Sequence, residues 1–446
     1  LRGINHLDQG ENLISLVKSG CIVDIGRMGS VVRAINWEAK HILFKSNQVP
    51  EGSGEPDPNR MRIELEPWLT AIFQSEYLSL LLGTGVTMGI CIDAEVASRN
   101  MERASFETAG EQIERHADLE AVQLERGKAN VEDDLRTAIE LLRGMKILGH
   151  EQSDKLEDEV NDQLRQLILD VLANEQRFLN SDKKVNSLSL LERFLISFSS
   201  RTSSRDRLHI FTTNYDRFIE YALDNAGIYV LDRFVGKLNP IMRMHKLGLD
   251  YHYNPPGIRG EPRYVDGVVR YTKMHGSLDW KMEDGKVHRT PLPFGSVVDE
   301  EYFKDPYQTS VIYPNSSKGI ETAYFPYSEL FRDFSTAISR PNSSLVVYGY
   351  GFGDSHINNI ILDMMTLPST HLVIISFDDA AGRIKRFVEK CNPSQLTLLI
   401  GPHYGDIRVL TENYLPKSSV DRISDRFYKI QEKRQPDLSA KEVKNE

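Results

Sequence analysis

The stretch SSLVVYGYGFGDSHINNIILDMM, from Ser343 to Met365, decides the fold. It begins with an apolar run that has no polar alternation, which is typical of a strand buried on both faces of a parallel sheet. A glycine-rich loop follows at residues 349–353, and then a helical pattern for which Asp354 or Ser355 could cap the N-terminus. The stretch therefore predicts one strand–loop–helix unit of an α/β sheet.

Similar apolar runs that end in a turn occur five more times along the chain. They are EYLSLLLGTGVTMG (76–89), LHIFTTNYD (208–216), VVRYTKMHGS (268–277), HLVIISFDD (371–379) and QLTLLIGPHYGD (395–406). Helical patterns separate several of these runs. Strands that alternate with helices predict an α/β fold with a doubly wound, Rossmann-like parallel sheet.

The pattern divides the chain into four parts. Residues 76–100 and 205–415 carry the strand–helix units and are predicted to form the core. Residues 101–204 are predicted to form a helical insertion, and residues 1–75 a small mixed N-terminal segment that could serve as an assembly surface. Residues 416–446, rich in Lys, Asp and Glu, are predicted to form a C-terminal tail.

The helical insertion shows apolar residues at helical spacing and two acidic clusters. The apolar residues are Leu135, Ile139, Leu142, Leu156, Val160, Leu164 and Leu167. The acidic residues are Glu132, Asp133, Asp134, Glu157, Asp158 and Glu159. These charges either solvate one face of the helices or belong to a lid or an oligomer contact.

Composition excludes several classes of protein. The 446 residues carry a formal net charge of -10, which argues against a protein that coats nucleic acid over its whole surface. The only cysteines are Cys21, Cys91 and Cys391, and no CxxC is present, so neither a disulfide framework nor a four-cysteine zinc site is expected. The chain has no apolar run long enough to span a membrane and no apolar signal-peptide core near residue 1, so we expect a cytoplasmic protein.

Four strand ends carry residues suited to chemistry. They are Gly83-Thr84-Gly85, Asn214-Tyr215-Asp216, His275-Gly276-Ser277 and the loop from Gly349 to Asp354. In an open parallel sheet, ligands bind outside the carboxyl ends of the strands, so we expect these residues to lie together. Glycines allow the backbone to approach a pyrophosphate, although glycine pairs also serve as plain turns.

Each polar residue has a chemical and a structural interpretation. Asn214 offers a donor and an acceptor to a ribose hydroxyl or a water, and a histidine such as His275 can exchange a proton near neutral pH or simply hold a turn. Asp216 could face a ligand or cap the helix that begins near Arg217. Asp378, with its neighbour at 379, could receive an adenosine ribose or cap the next helix.

The motifs GTG, TTNYD, HGSLDW and GYGFGD, in that order, resemble the sirtuin-like (Sir2-like) domains of bacterial antiviral defence proteins. The resemblance implies an NAD-binding core. In it, Asn214 and Asp216 match the pair that faces the nicotinamide ribose, and His275 matches the catalytic histidine. The residues predicted to contact NAD are Gly83, Thr84, Gly85, Thr87, Asn214, Gly349, Tyr350, Gly351, Asp354 and Asp378.

The sequence departs from the deacylase sirtuins in three ways. The segment VTMGICIDAE (86–95) replaces the family's Pro-Asp-Phe-Arg stretch, and the spacing between Asn214 and His275 implies an insertion. No cysteine quartet follows His275, so we expect no zinc. These differences favour hydrolysis of NAD to nicotinamide and ADP-ribose, with His275 as general base, Asn214 orienting water or a ribose hydroxyl, and Asp216 stabilising the cation.

The resemblance also implies a role and partners. It implies an NAD glycohydrolase that acts in anti-phage defence by depleting NAD and is gated by homo-oligomerisation or by a partner. The resemblance implies a HerA-like ATPase or an Argonaute-like protein as the partner. Such an ATPase would be another polypeptide, because this chain has no GxxxxGK[ST] pattern. Two alternatives stay open: a module that binds NAD or ADP-ribose without turnover, and a nucleic-acid-binding subunit that uses the mixed segment 236–276.

Overall fold

A computed structural model describes most of the chain. The described residues are 35–46, 56–98, 103–123, 127–201, 205–244, 250–253, 263–265, 267–298, 306–312 and 325–417. Residues 1–34 of the mixed N-terminal segment lie outside them, as does the tail from residue 418 onward. Much of the mixed segment 236–276 lies outside them as well, so its proposed contact with nucleic acid stays a prediction.

The strands fall into one large sheet and two small ones. They are β1 (Ile42–Lys45), β2 (Tyr77–Leu82), β3 (His209–Thr212), β4 (Tyr229–Leu231), β5 (Phe234–Val235), β6 (Ile241–Met242), β7 (His252–Tyr253), β8 (Arg263–Tyr264), β9 (Val268–Lys273), β10 (Gly276–Glu283), β11 (Lys286–Arg289), β12 (Ser310–Ile312), β13 (Ser343–Tyr348), β14 (His371–Ser376) and β15 (Leu396–Ile400). Within the described residues, eight strands form the large sheet in the order β1-β15-β14-β13-β2-β3-β9-β4. Every pairing in it is parallel except that of β1 with β15. The predicted parallel α/β organisation is confirmed, and the doubly wound connectivity of the sheet stays a prediction.

Some of the helices connect the strands of this sheet one after another, and five of the described helices lie in the long segment between β2 and β3. They are α1 (Pro58–Phe73), α2 (Thr84–Asp93), α3 (Gly110–Gln123), α4 (Val131–Leu148), α5 (Ser153–Leu179), α6 (Lys184–Ser199), α7 (Phe218–Asn225), α8 (Pro306–Thr309), α9 (Tyr327–Ile338), α10 (Ser355–Met364), α11 (Arg383–Val388), α12 (Pro402–Gly405) and α13 (Ile407–Val409), with a 3₁₀ turn at Pro393–Gln395 and a π-helical turn at Leu410–Tyr414. In the described part of the chain, none of the helices combines the length and the apolar character needed to cross a bilayer.

Both faces of the large sheet are covered. Along β13, Val346 and Tyr348 join a core with helices α1, α2, α6 and α7, whereas Leu345 and Val347 join a second core with helices α9, α10 and α11. Successive side chains of a strand point to opposite faces, so an unbroken apolar run requires apolar partners on both sides. This explains why the strand runs in the sequence show no polar alternation.

The small five-stranded sheet, in the order β12-β10-β11-β6-β5, is antiparallel. Its strand β10 follows β9 along the chain, and β9 is the second strand from one edge of the large sheet. Strand β9 ends at Lys273, and β10 begins at Gly276, whose φ of 85° is left-handed. His275 therefore lies where the chain leaves one sheet and enters the other. The sharp turn that follows this histidine in the sequence is the start of the second sheet.

The helices between β2 and β3 do not share one core. Helices α3, α4 and α5, called the helical layer below, surround a core of their own, which includes Leu135, Leu142 and Leu164. Helix α6 instead packs Phe194 and Phe198 against the large sheet. The division of the chain at residues 101 and 204 stays a prediction.

Two loops touch at the carboxyl edge of the large sheet. The Gly83 amide donates to the Tyr348 carbonyl at 3.1 Å, and the Gly85 amide donates to the Gly349 carbonyl at 2.9 Å. A Cβ atom on Gly85 would lie 2.5 Å from the Gly349 Cα, and one on Gly349 would lie 2.7 Å from the Gly85 Cα. Glycine at these positions is required because any side chain would separate the loops.

Substitution of Gly349 by alanine should therefore destabilise the protein. Gly349 has a φ of 63°, and its added Cβ would meet backbone atoms that have no room to move. We expect a loss of about 1–3 kcal/mol from the left-handed conformation alone, measured by thermal or urea unfolding.

Gly110→Ala is the matched control for Gly349→Ala, because a Cβ on Gly110 meets nothing within 4 Å. Alanine favours a helix over glycine, so this variant should unfold at or slightly above the wild-type midpoint. Equal midpoints for the two variants would contradict the steric argument.

Candidate active site

A cavity of about 1090 Å³ lies at the carboxyl edge of the large sheet, against the helical layer. Its volume is slightly above the range of roughly 300–1,000 Å³ that is typical of small-molecule sites. Its wall includes eight residues predicted from the sequence: Thr84, Thr87, Asn214, Asp216, His275, Tyr350, Gly351 and Asp354. The fold thus brings four separate strand ends to one cavity, because parallel strands end at the same edge.

His275 and Asp354 form a buried pair in this wall. The His275 Nε2 lies 3.0 Å from the Asp354 Oδ2, and both side chains are at least nine-tenths buried. The other carboxylate oxygen of Asp354 accepts from the amides of His356 and Ile357 at the start of α10. Asp354 was predicted both to contact NAD and to cap this helix. The structure shows the cap and, in addition, a contact with the histidine that the sequence did not indicate.

Asn214 lines the cavity and carries one buried polar atom that has no partner among the described residues. Its Nδ2 donates to the Gly83 carbonyl and to the Thr87 hydroxyl, each at 3.1 Å. Its Oδ1 is buried and has no hydrogen-bond partner among the described residues. A buried carbonyl oxygen without a donor is costly, so this atom is suited to accept a hydrogen bond from a bound molecule.

Asp216 continues the network that begins at Asn214. The Thr87 hydroxyl donates to its Oδ2 at 2.8 Å, and the Phe218 amide at the start of α7 lies 3.3 Å from its Oδ1. Burial raises the pKa of Asp216, while the charge of Lys273 and the Thr87 hydroxyl act in the opposite direction. The two interpretations of Asp216 are both visible, since it lines the cavity and also stabilises the start of a helix.

Lys273 supports the turn that carries Asn214 and Asp216. This lysine is 1 % exposed, and its ammonium group donates to the carbonyls of Tyr215 and Asp216. Its remaining partner is Glu220 at 2.9 Å. A buried ammonium needs such partners, and here they fix the backbone of the turn from the side of the sheet.

The glycines of the predicted NAD site have a different local role. Gly83, Gly85 and Gly349 do not belong to the cavity wall, because they pack against each other's loops instead. Gly351 does lie in the wall, where its carbonyl accepts from the Arg383 Nε at 2.6 Å. Gly83, Gly85 and Gly349 therefore allow two loops of the protein to approach each other, whereas the sequence predicted that they approach a pyrophosphate.

Tyr350 and Asp378 lie in different surroundings. The Tyr350 hydroxyl is within hydrogen-bond distance of the Asp354 backbone and of Asn358, so it fixes the loop before α10. Asp378 is exposed and outside the cavity wall, and its carboxylate accepts from the Ala380 amide at 2.8 Å. Asp379 accepts from the Lys385 amide, which corresponds to the helix-capping alternative.

Sequence reasoning missed the part of the wall that the helical layer supplies. Helix α5 contributes Gln163, Gln166, Asp170 and Asn174, which are spaced three or four residues apart and so lie on one face. Helix α4 contributes Glu132, and the first residue of α11 contributes Arg383. A polar stripe beside an apolar one on α5 was the signal in the sequence for this surface.

Three of the four strand ends just described lie in a segment that is similar to a known family. Residues 208–394 match the family model described as a SIR2-like domain. This segment is similar to domains that are generally NAD-dependent enzymes. It contains Asn214, Asp216, His275 and Asp354, and it begins after the loop that carries Gly83 and Gly85. No curated protein matches the chain.

The buried carboxyl of Asp216 should make stability depend on pH. Burial favours its protonated form, so its pKa is higher in the folded chain than in the unfolded one. Between these two pKa values the folded chain binds more protons, and stability falls as pH rises. The contribution is complete below the unfolded pKa of about 3.9 and is lost as pH passes the folded pKa.

Asp216→Asn isolates this effect because the amide keeps the shape of the side chain and does not titrate. In urea unfolding from about pH 4 to pH 7, we expect the wild type to lose stability relative to the variant as pH rises. A difference that stays constant over this range would show that the pKa of Asp216 is not raised.

Proposed function

We propose that this protein is an NAD glycohydrolase, which cleaves NAD to nicotinamide and ADP-ribose. One observation carries the proposal: the His275–Asp354 pair and Asn214, whose Oδ1 has no hydrogen-bond partner among the described residues, line one cavity. The similarity of residues 208–394 to SIR2-like domains, which use NAD, supports the choice of substrate.

The reaction breaks the N-glycosidic bond between nicotinamide and ribose. Such cleavages pass through a transition state that resembles an oxocarbenium ion. The nicotinamide is cationic when bound in NAD and neutral when it leaves, so no acid has to protonate it. The protein must therefore orient the ribose, stabilise the positive charge that remains on it, and activate a water molecule.

His275 is suited to act as the general base. When Nε2 carries the proton that faces Asp354, Nδ1 is the nitrogen that can accept a proton. The Asp354 carboxylate then stabilises the imidazolium that forms, as a buried carboxylate does beside other catalytic histidines. In this scheme Asp354 is a positioning residue, and the base acts on water or on a ribose hydroxyl.

Asn214 and Asp216 would act on the sugar. The Asn214 Oδ1 would accept a hydrogen bond from a ribose hydroxyl or from the attacking water. Asp216, held by Thr87, would stabilise the cationic ribose when its carboxyl is ionised. The rest of the dinucleotide would lie along the wall formed by Thr84, Tyr350 and Gly351.

The biological role follows from the resemblance of the motifs alone. We propose that the enzyme acts in the cytoplasm in anti-phage defence and depletes NAD. A free NAD hydrolase would harm its own cell, so its activity would be gated by homo-oligomerisation or by a separate HerA-like ATPase. The core at residues 76–100 and 205–415, on a doubly wound sheet, would carry the chemistry, with Asp378 as a further candidate for the adenosine ribose.

Replacement of His275 by alanine tests the base. General base catalysis contributes typically about 10²–10⁴-fold, so His275→Ala should lose NAD turnover by about that factor. The products, nicotinamide and ADP-ribose, are separated by chromatography.

His288→Ala is the matched control, because His288 contacts Asn239 on the small sheet and does not line the cavity. The control should retain wild-type turnover. NAD binding without turnover by the wild type, also in the presence of the ATPase, would contradict the proposal and favour a binding module.

Asp354→Asn tests the positioning of the histidine separately from the helix cap. Asparagine caps helices as well as aspartate does, so α10 should keep its start and the variant should fold. The amide does not stabilise an imidazolium, and we expect kcat to fall by up to about 10²-fold with little change in KM. Steady-state kinetics measure both constants, and an unchanged kcat would remove Asp354 from the mechanism.

A further inference from the structure

The four residues from Asn214 to Arg217 contact α2 and the helical layer in alternation. The side chains of Asn214 and Asp216 reach Thr87 on α2, below the carboxyl edge of the sheet. The side chains of Tyr215 and Arg217 reach the helical layer instead. The turn that carries Asn214 and Asp216 is thus attached both to α2 and to the helical layer.

The first attachment to the helical layer is Glu175 on α5. This carboxylate is fully buried and receives four donors. Its Oε1 accepts from the Arg217 amide at 2.9 Å and from Nε at 3.2 Å. Its Oε2 accepts from Nη2 at 2.5 Å and from the Gly295 amide at 3.0 Å. Because one donor is the main chain of residue 217, the position of α5 fixes the backbone beside Asp216.

The second attachment is Glu132 on α4. The Tyr215 hydroxyl donates to the Glu132 Oε1 at 2.9 Å. The Tyr215 ring is 3 % exposed and belongs to the core of the helical layer, together with Leu278. The Leu278 amide in turn donates to the Tyr215 carbonyl at 3.2 Å. The segments that follow Asn214 and His275 are therefore joined to each other and to the same helices.

We propose that Glu175 and Glu132 are positioning residues, through which the helical layer holds Asn214 and His275 in their active geometry. The inference rests on the proposed function, because it concerns the same site. A displacement of about 1 Å at an active site can cost about 10²-fold in rate, so contacts that fix the backbone of a catalytic turn affect rate as well as stability.

Two readouts test the proposal. Amide hydrogen exchange at Leu278 reports the position of the turn, because this amide bonds to the Tyr215 carbonyl and to neither glutamate. The first comparison is between Glu175→Gln and Glu157→Gln. Glu157 also lies on α5, but its ion pair is with Lys146 of α4 and not with the turn at residues 214–217. Glu157→Gln is therefore the matched control.

A double-mutant cycle with Glu132→Ala and Tyr215→Phe gives the second readout. If Glu132 acts through the Tyr215 hydroxyl, each single variant and the double variant should lower kcat by a similar factor, about 10- to 100-fold. If Glu132 acts on the substrate directly, the two effects should multiply. The rates are compared at a temperature at which all variants are folded.

Faster exchange at Leu278 in Glu175→Gln but not in Glu157→Gln, with a non-additive cycle, would support the proposal. The proposal would be overturned if exchange at Leu278 were unchanged in Glu175→Gln. It would also be overturned if the effects of Glu132→Ala and Tyr215→Phe on kcat multiplied, or if neither variant changed kcat. If the wild-type protein does not turn NAD over, the proposed hydrolase function is wrong. Amide exchange at Leu278 then tests by itself whether Glu175 and Glu132 position the turn. If Glu175→Gln does not fold, amide exchange at Leu278 is measured in Glu132→Ala and compared with the wild type.

Discussion

The backbone contact between Gly85 and Gly349 is the constraint on which the cavity depends. It holds the loops after β2 and β13 against each other, since each glycine occupies space that a Cβ on the other would need. The first loop leads into α2, which carries Thr87, and the second leads to Asp354. The partners of Asn214 and His275 are therefore placed by a contact that involves no side chain at all.

The sequence predicted the sheet and most of one wall of the cavity. Apolar runs without alternation are a direct result of burial on both faces, and the carboxyl ends of parallel strands must meet at one edge. For that reason Asn214, Asp216 and His275 could be placed together before their contacts were known. The glycines were harder to interpret, because the same residues permit a backbone to approach a ligand or another backbone.

The second wall was not predicted, and the reason is physical. A helix that lines a polar cavity has a polar stripe, and a helix exposed to water has one too, so periodicity alone does not separate the two. On α5 the stripe of Gln163, Gln166, Asp170 and Asn174 lines the cavity. The pairing of His275 with Asp354 is also invisible in sequence, since the two residues are 79 positions apart.

The alternating contacts of residues 214–217 have a consequence for how this chain can change in evolution. Consecutive side chains here alternate between α2 and the helical layer, so inserting or deleting one residue would move the residues after it away from their partners. A substitution at one position leaves the contacts of the other three residues in place. We therefore expect the length of this turn to be invariant among relatives that share the helical layer, even where the loops around it differ in length and composition.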